Sequence, residues 1–417
     1  MQRRNVIVVG AGPVGTVAAL ACARQGHTVT LLEAQQRIDD SPRASTTQPP
    51  TLEMLAQLGL IDEYLRVGLV SRTFQFWDRP TRRMIAEFDF ARLAGETAYP
   101  FVVQTEQHKL ANMAIARLRA MANAEVRMGV RVTGFTQESG SVKVSCENGE
   151  PISADYVIAA DGGRSTIRKA LDIEFEGYTW PERFLVITTK FDFQAALGCC
   201  LRTYMADPVE WTNLFKVAGD DLKGRWRAVY NTREDETDEE ALSDASVRAR
   251  LSRIYVPERE RDYLHLNLYA VHQRVAKSFR KGRVFLCGDA AHVNNPIGGL
   301  GLNCGIHEAW HLSQLLDQVL RGAGSEVLDE YEKTRRPLNI KYVQEQTVAN
   351  KKRLEERDPV KRRHNLDELR ATAADPLRAR QFLRGTAMLA SQRRAAALTV
   401  ADLASGAAAH NLRGERQ

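Results

Sequence analysis

Apolar and polar positions follow two different periods along the chain, and each period predicts a different element. Residues 5–9 (NVIVV) and 28–33 (TVTLLE) are short apolar runs, and residues 14–25 between them carry apolar side chains at helical spacing. A strand, a helix and a second strand in this order predict a βαβ unit. Residues 201–219 and 224–231 instead alternate at every second position, which predicts strands of a half-buried sheet.

The turn inside the βαβ unit carries the first chemical signal. Gly10, Gly12 and Gly15 complete a GxGxxG pattern, and Glu33 ends the second strand. The glycines allow a pyrophosphate to approach the backbone, the helix amino terminus offers free N–H groups, and the acid can bind ribose hydroxyls. We therefore predict an ADP-ribose site, which this pattern alone does not assign to FAD or to NAD.

Two further segments have the same strand, turn and helix order. In ADYVIAADGGRSTIRKAL (154–171), the turn is Asp161-Gly162-Gly163, and Arg164 and Arg168 are spaced to share a helix face. In GRVFLCGD (282–289), the strand ends at Gly288-Asp289, and the loop NPIGGLGLN (295–303) then leads into a helix beginning near Cys304. So many glycines before a helix cost chain entropy, so we expect a flat ligand close to this backbone.

That last helix contains an HExxH pattern, which is also typical of zinc proteases. On a helical projection, His307 and His311 fall on a polar face with Gln314 and Gln318, opposite a broad apolar arc. A zinc site needs a third protein ligand, and nothing nearby marks one. We expect these histidines to face solvent and to bind no metal.

Composition narrows the class of protein. With 417 residues, 44% hydrophobic and 26% charged, the chain resembles an ordinary globular protein of two or three lobes. The net charge is +6, but acids interrupt the basic stretch at 350–365, which favours a solvated helical face over a nucleic-acid site. The six cysteines have no framework spacing, so free thiols are expected. No signal peptide or bilayer-spanning run is recognisable, which indicates a cytoplasmic protein without a membrane partner.

The three turns, in this order and spacing, resemble the flavoprotein aromatic hydroxylases typified by para-hydroxybenzoate hydroxylase. SPRAST (41–46), VVQTEQHKL (102–110) and VRVTG (130–134) match further family segments, and the resemblance covers about residues 5–395. TWPERFL and DPVEW are similar to the para-nitrophenol 4-monooxygenase branch. Two departures are Asn294-Asn295 before the family proline, and a chain that ends without the thioredoxin-like extension of the phenol hydroxylases.

The resemblance implies a set of site residues. Pro296 and its loop would lie beside the isoalloxazine ring, and Arg43 would act in catalysis as well as in cofactor binding. The residues implied in FAD binding are Gly10, Gly12, Pro13, Val14, Gly15, Glu33, Ala34, Arg43, Gln104, Val132, Asp161, Gly162, Arg164, Gly288, Asp289, Gly299, Gly301, Leu302 and Asn303.

The substrate residues are predicted from the alternating strands. One strand face carries Trp211, Asn213 and Phe215. Another face carries Arg225 and Arg227. His272 and His292 are candidates for the base that takes the substrate proton, because histidine titrates in the useful range.

The resemblance implies an α/β fold in three parts. A Rossmann-type FAD-binding domain would comprise residues 1–73, 100–178 and 276–340, an inserted mixed β-sheet substrate domain residues 74–99 and 179–275, and a helical carboxyl-terminal region residues 341–417.

It also implies the reaction. NADH or NADPH would reduce FAD, and O2 would form a flavin hydroperoxide that hydroxylates a small phenol or hydroxylated heteroaromatic, with or without loss of a ring substituent. The partners expected are this substrate and O2, with no nucleic acid, in a monomer or homodimer. A FAD-dependent reductase and a non-catalytic FAD-fold binding protein remain as alternatives.

Overall fold

The computed structural model describes residues 5–256 and 263–392. The strands, in chain order, are β1 (Asn5–Val9), β2 (Thr28–Glu33), β3 (Thr46–Thr47), β4 (Leu69–Ser71), β5 (Thr73–Asp78), β6 (Arg83–Asp89), β7 (Val102–Gln104), β8 (Ala124–Met128), β9 (Val132–Gln137), β10 (Val142–Cys146), β11 (Ile152–Ala154), β12 (Tyr156–Ala159), β13 (Phe175–Thr189), β14 (Arg202–Ala206), β15 (Thr212–Val217), β16 (Arg225–Asn231), β17 (His265–Ala276), β18 (Arg280–Lys281), β19 (Val284–Leu286) and β20 (His292–Val293).

The helices, in chain order, are α1 (Pro13–Arg24), α2 (Pro49–Gln57), α3 (Ile61–Val67), α4 (Gln107–Arg119), α5 (Thr166–Ala170), α6 (Phe193–Leu197), α7 (Asp238–Leu242), α8 (Asp244–Ser252), α9 (Gly301–Leu320), α10 (Asp329–Asn339), α11 (Glu345–Glu355), α12 (Pro359–Ala374) and α13 (Pro376–Thr386). A π-helical turn, Ile340–Gln344, joins α10 to α11. No helix among the described residues is long and apolar enough to cross a membrane.

The first sheet has six strands in the order β18-β19-β12-β1-β2-β8, and it is parallel except for the β18–β19 pair. Its centre is in register, with Val8 paired to Leu31 on one side and Ile158 on the other. Helix α1 lies against it and contacts both α4 and α9. Both faces of a parallel sheet are buried, which explains why its strands read as continuous apolar runs.

The second sheet has eight strands in the order β20-β17-β13-β16-β15-β14-β5-β6, antiparallel except where β14 meets β5. One face packs Trp226 against Leu251 of α8. The opposite face carries an aromatic cluster around Tyr204, which also includes Ile297 from the loop before α9 and Leu354 from α11. This aromatic face is therefore the one turned toward the glycine-rich loop.

Two three-stranded sheets complete the strand architecture, β11-β10-β9 and β3-β7-β4. The carboxyl-terminal helices α12 and α13 pack on the aromatic face, where Phe382 stacks on Phe88 with ring centres 4.5 Å apart. The predicted α/β class, with a parallel sheet, an additional mixed sheet and a helical carboxyl-terminal region, is confirmed over the described residues. The rest of the expected helical region, 393–417, lies outside them.

The expected solvent-facing position of the two HExxH histidines is wrong. His307 and His311 are 1% and 8% exposed, because α9 contacts α1 and α2 on one side and α10 on the other. His307 Nε2 lies 2.9 Å from the Thr51 hydroxyl, and its Nδ1 contacts Gln392. The helical period was correct, but the polar face is covered by both earlier and later segments of the chain, including Thr51 of α2 and Gln392.

The basic stretch is not wholly solvated either. Lys351 is buried, and its ammonium group lies 2.7 Å from Glu182 and 2.6 Å from Glu355. The six cysteines are free thiols, as expected.

Candidate active site

The β1–α1 turn brings its glycines close to the rest of the sheet. Gly10 has φ +97°, and a Cβ on Gly15 would collide with the Gly10 carbonyl oxygen. A Cβ on Gly12 would meet no protein atom within 4 Å, so the protein itself does not require that glycine. Open space beside the amino terminus of α1 fits a pyrophosphate, which helix-end N–H groups bind.

Glu33 closes this turn from the neighbouring strand. Its carboxylate accepts hydrogen bonds from the N–H of Ala11 (2.7 Å) and of Gln35 (2.9 Å). Ala34 follows it and is half-buried, while Val132, at the start of β9, is buried. These residues form one wall of the space in front of α1.

The GD turn lies beside the first turn. Gly288 has φ +59°, a Cβ there would meet Val14 at 3.1 Å, and its N–H donates to Glu308 Oε2 at 2.9 Å. Asp289 reaches solvent, yet the dense protein around its carboxyl group raises its pKa, against the opposing effects of His292 and Arg43. Arg43 and Asp289 thus face the same space.

His292 lies beneath the GD turn rather than at the surface of the site. Its imidazole is fully buried, with Nε2 2.7 Å from Glu308 Oε1. Burial lowers the pKa of His292, but Glu308 and Cys304 outweigh burial and raise it well above the usual value. The three side chains are also the one group among the described residues with the spacing of a metal site, although they bond to one another.

The DG turn is joined to the GD turn by an arginine. Arg168 is buried and donates to the carbonyl oxygens of Ala290 and Gly163, each at 2.9 Å. The expectation that Arg164 and Arg168 share a helix face is wrong, because α5 begins at Thr166 and Arg164 lies exposed before it. Asp161 accepts from the N–H of Thr166 at 2.8 Å and so caps the helix.

The loop before α9 is tied to β3. Gly299 has φ +66° and lies against Thr46, and Asn303 donates to the carbonyl oxygens of Thr46 (2.9 Å) and Gly299 (2.7 Å). Gln104 is fully buried and accepts from the Thr46 hydroxyl at 2.7 Å, whereas its Nε2 has no partner among the described residues. An unpaired buried donor beside this loop indicates a polar ligand edge.

The remaining loop residues lie at the opening of the site. Pro296 is exposed, and Gly301 and Leu302 begin α9 half-buried. Arg43 is exposed and paired with Asp39 at 2.7 Å. The pKa of Asp39 is lowered, first by the backbone and side-chain hydrogen bonds of Ser41 and then by Arg43.

The eight-stranded sheet is hydrogen-bonded to the segment that contains Pro42 and Arg43. Arg227 Nη1 donates to the carbonyl oxygen of Arg43 at 2.8 Å, and Asn267 donates to that of Pro42 at 3.2 Å. Trp211, Asn213 and Phe215 share the aromatic face, as the alternation predicts. Arg225 lies at the end of β16, with its guanidinium 2.9 Å from Asp221.

Sequence reasoning missed an amide network behind the proline loop. Gln273 Oε1 accepts from the backbone N–H (3.1 Å) and side chain (3.3 Å) of the buried Asn295. Gln273 Nε2 donates to Gln344 Oε1 at 2.6 Å and to Thr347 at 3.1 Å. The only signal in the sequence was the pair Asn294-Asn295, which departs from the family pattern.

A basic cluster lies at the outer side of the DG turn. His272 Nδ1 is 2.8 Å from the Thr179 hydroxyl, and partial burial, Arg274 and Arg164 all lower its pKa. The site as a whole therefore combines backbone N–H groups at two turns, a buried amide donor and external cations. This arrangement can hold a dinucleotide with its flat ring against the glycine-rich loop.

Comparison with known proteins agrees with this geometry. The family described as an FAD binding domain matches residues 3–346. The chain is 34% identical over 397 residues to para-nitrophenol 4-monooxygenase from a Pseudomonas species, covering 91% of this chain and 94% of that one. It is 33% identical over 393 residues to the 6-hydroxy-3-succinoylpyridine 3-monooxygenase of Pseudomonas putida, covering 92% and 97%.

A crystal structure shows the same fold. The p-nitrophenol 4-monooxygenase of Pseudomonas putida superimposes with a TM-score of 0.82 at 33% identity, over 91% of this chain and 96% of that one. The longer 3-(3-hydroxy-phenyl)propionate hydroxylase of Mycolicibacterium gilvum is 34% identical over 337 residues, which are 57% of its length.

Proposed function

The chain belongs to the FAD binding domain family, in a group of flavin-dependent aromatic monooxygenases, and we propose that it hydroxylates a small phenol or hydroxylated heteroaromatic with NAD(P)H and O2. The observation that carries the proposal is the meeting of the two glycine turns, Gln104 and the proline loop on one space beneath the aromatic face. A reductase would not need that enclosed second sheet.

The turns are proposed to hold FAD as follows. Gly12, Val14 and Gly15 would receive the pyrophosphate, and Glu33 the adenosine ribose. Asp289 would bind the ribityl chain. Residues that support the ring or adenine, on the same proposal, are Pro13, Ala34, Gln104, Val132, Asp161, Gly162, Gly299, Gly301, Leu302 and Asn303.

FAD, when bound, would supply hydride acceptance and the transfer of an oxygen atom from O2 to the aromatic compound. The chain's own residues bind, orient and exclude water. Gln104 Nε2 offers a fixed donor to the ring edge, and Asn295 and Gln273 fix the proline loop. His292 is proposed to hold the GD turn through Glu308, because its burial keeps it away from a substrate proton.

The electron donor is proposed to approach from the DG side. Arg164, Arg274 and His272 form a basic group close enough that both arginines lower the histidine pKa. Such a group attracts the phosphates of NADH or NADPH. Arg43, exposed beside Asp39 and facing Asp289, would act during reduction.

The aromatic face is proposed to be the substrate surface. Trp211, Asn213 and Phe215 look toward the proline loop, whereas the pairing of Arg225 with Asp221 favours Arg227 as the arginine nearer the site. On this proposal, the chain divides into the three parts given by the sequence: an FAD domain, a substrate domain over 74–99 and 179–275, and a helical region.

A screen of NADH and NADPH oxidation over substituted phenols and hydroxypyridines tests the function. We expect one FAD per chain, oxygen uptake that depends on the aromatic compound, and a hydroxylated product by mass spectrometry. Release of nitrite from 4-nitrophenol would reveal loss of a substituent. Donor oxidation with every compound tested but no hydroxylated product would identify a reductase instead.

A further inference from the structure

A buried arginine lies on the aromatic face without a counter-charge. Arg202, at the start of β14, is 0% exposed. Its Nη2 donates to the Tyr204 hydroxyl at 2.9 Å, and its guanidinium carbon lies 5.3 Å from the Phe74 ring centre. Its Nε and Nη1 have no partner among the described residues. None of the carboxylates of those residues pairs with Arg202. This cation is enclosed by aromatic rings rather than by acids.

Such an environment is unfavourable for a permanent charge. Arginine stays protonated, so burial cannot neutralise it, and a buried charge requires a partner that offsets its lost hydration. Two buried arginines beside this sheet, one in α8 and one just after β5, have such partners. Arg250 lies 2.7 Å from Glu236, and Arg79 lies 3.3 Å from Glu210. Among the described residues, carboxylates pair with these two cations but not with Arg202. The buried Arg227 of β16 also lacks a carboxylate, but its guanidinium donates to the Arg43 carbonyl oxygen at 2.8 Å, whereas the guanidinium of Arg202 reaches only a tyrosine hydroxyl.

The unpaired cation occupies the proposed substrate surface. In the register of the sheet, Arg202 is opposite Phe215 and Tyr204 is opposite Asn213. The Asn213 Oδ1 and the Trp211 indole nitrogen on this face also lack partners among the described residues. Several unsatisfied polar atoms on one aromatic face indicate a pocket shaped for a polar aromatic compound.

We propose that Arg202 is the anion-binding end of the substrate pocket, and that the aromatic substrate carries a carboxylate. The inference rests on the proposed hydroxylase function and narrows its substrate class. A carboxylate supplies a full negative charge and accepts from a guanidinium in a planar, charge-assisted pair. A nitro group has the same shape but no net charge, so it would leave the buried cation uncompensated.

Matched ligand pairs test the class of substituent in the wild-type holoenzyme. The pairs are 4-hydroxybenzoate with 4-hydroxybenzamide, 4-hydroxyphenylacetate with its amide, and 6-hydroxynicotinate with 6-hydroxynicotinamide, with 4-nitrophenol alongside. Dissociation constants come from the change in flavin absorbance. We expect the carboxylate to bind at least about tenfold more tightly than its amide in one or more pairs. The proposal is overturned if the amides and 4-nitrophenol bind as tightly as the matched carboxylates or more tightly. That outcome includes the case in which Arg202 pairs with a phenolate.

Substitution locates the effect. Arg202→Met keeps an apolar stem and removes the charge, and it should abolish the preference for carboxylate while neutral phenols still bind. Arg202→Lys should keep part of the preference. Arg83→Met, an exposed arginine on β6 of the same sheet, is the control and should keep all of it. An unchanged preference in Arg202→Met would refute the subsite. If that variant fails to retain FAD, the ligand pairs in wild type and Arg202→Lys decide.

These binding assays and the screen for hydroxylated product together separate two failures. If neutral phenols are hydroxylated and carboxylates show no advantage, the subsite is wrong and the hydroxylase proposal stands. If no aromatic compound is hydroxylated, the function fails and the subsite fails with it.

Discussion

Gly12 and Gly15 belong to the same turn, yet a side chain added at one position would contact different groups from a side chain added at the other. A Cβ on Gly15 collides with the Gly10 carbonyl oxygen, whereas a Cβ on Gly12 meets no protein atom within 4 Å. Gly12 has φ −63°, which any residue adopts. We therefore expect Gly12→Val to fold and to lose FAD, because its side chain would occupy only the pyrophosphate space. Gly15→Val should lose the fold itself.

The ratio of flavin to protein absorbance, measured with thermal unfolding of the apoproteins, checks this difference. Gly12→Val should unfold within a few degrees of wild-type apoprotein while binding no FAD. Retention of FAD by Gly12→Val would show that the pyrophosphate lies elsewhere.

Single residues also show what the sequence could and could not reveal. The glycines and Glu33 were predictable because their roles depend on local backbone geometry and spacing. Arg202 was not, because RTYMA alternates like any strand and only the tertiary structure shows that no carboxylate reaches the guanidinium. Asn295 stood out as unusual, but its partner Gln273 lies 22 positions earlier in the chain, and Gln344, which binds Gln273, lies 71 positions after that glutamine.

At the scale of elements, α9 likewise has one feature that the sequence revealed and one that it did not. Its period was readable, but which elements cover its polar face was not. Burial and the nearby Arg335 lower the pKa of His307 well below its usual range and that of His311 to about 2. The unfolded chain takes up these protons below about pH 6.5 and the folded state excludes them, so stability falls as pH decreases below 6.5.

The pH dependence gives a test of the buried histidines. Each of the two buried histidines should lower the free energy of unfolding by about 2 kcal/mol when the pH decreases from 7 to 5. The double substitution His307→Gln and His311→Gln should remove most of that loss, whereas His364→Gln on the exposed side of α12 should not. Urea denaturation at the two pH values measures the difference. The same loss in the double variant and in wild type would mean that neither histidine is buried neutral.

The π-helical turn between α10 and α11 is the second informative element. It delivers Gln344 to Gln273, which in turn holds Asn295 of the proline loop. Insertions of this kind are frequent at functional sites. Gln344→Leu should leave Gln273 with a buried donor partly unpaired and loosen the loop. We expect retained FAD, but more hydrogen peroxide released for each NAD(P)H oxidised, because a loose wall admits water.

Peroxide yield in the presence of a hydroxylated substrate is the measurement, with Glu345→Gln, an exposed neighbour, as the control. If Gln344→Leu releases the same yield of peroxide as wild type, the amide network has no part in excluding water from the reaction.

At the scale of the molecule, the two sheets meet through the segment at 42–43. Arg227 and Asn267 hold the carbonyl groups of Arg43 and Pro42, while the Arg43 side chain stays exposed and faces the space that contains Asp289. The sequence identified the three turns separately but could not show that backbone carbonyl groups at 42–43 accept hydrogen bonds from the eight-stranded sheet. We therefore expect an occupant of the aromatic face to influence the position of the segment at 42–43 through these two hydrogen bonds.

This connection predicts that substrate controls reduction. We expect the donor to approach through the opening near Arg43, because the printed sequence contains one complete dinucleotide fingerprint, which is assigned to FAD. A compound bound on the aromatic face should therefore accelerate flavin reduction by NAD(P)H, by at least about tenfold in stopped-flow traces. Equal reduction rates with and without a hydroxylated compound would exclude this control.

Arg43→Lys tests whether the side chain takes part. Lysine keeps the charge but loses the planar fork that binds phosphate in two places, so reduction should slow while FAD stays bound. The reaction of pre-reduced enzyme with O2 should change little, because the donor has left by then. The Arg43 carbonyl group that Arg227 holds is unaltered by the substitution, so the sheet contact is preserved and serves as an internal control. An unchanged reduction rate would assign the coupling to that backbone contact alone, and a parallel slowing of both half-reactions would indicate displaced flavin instead.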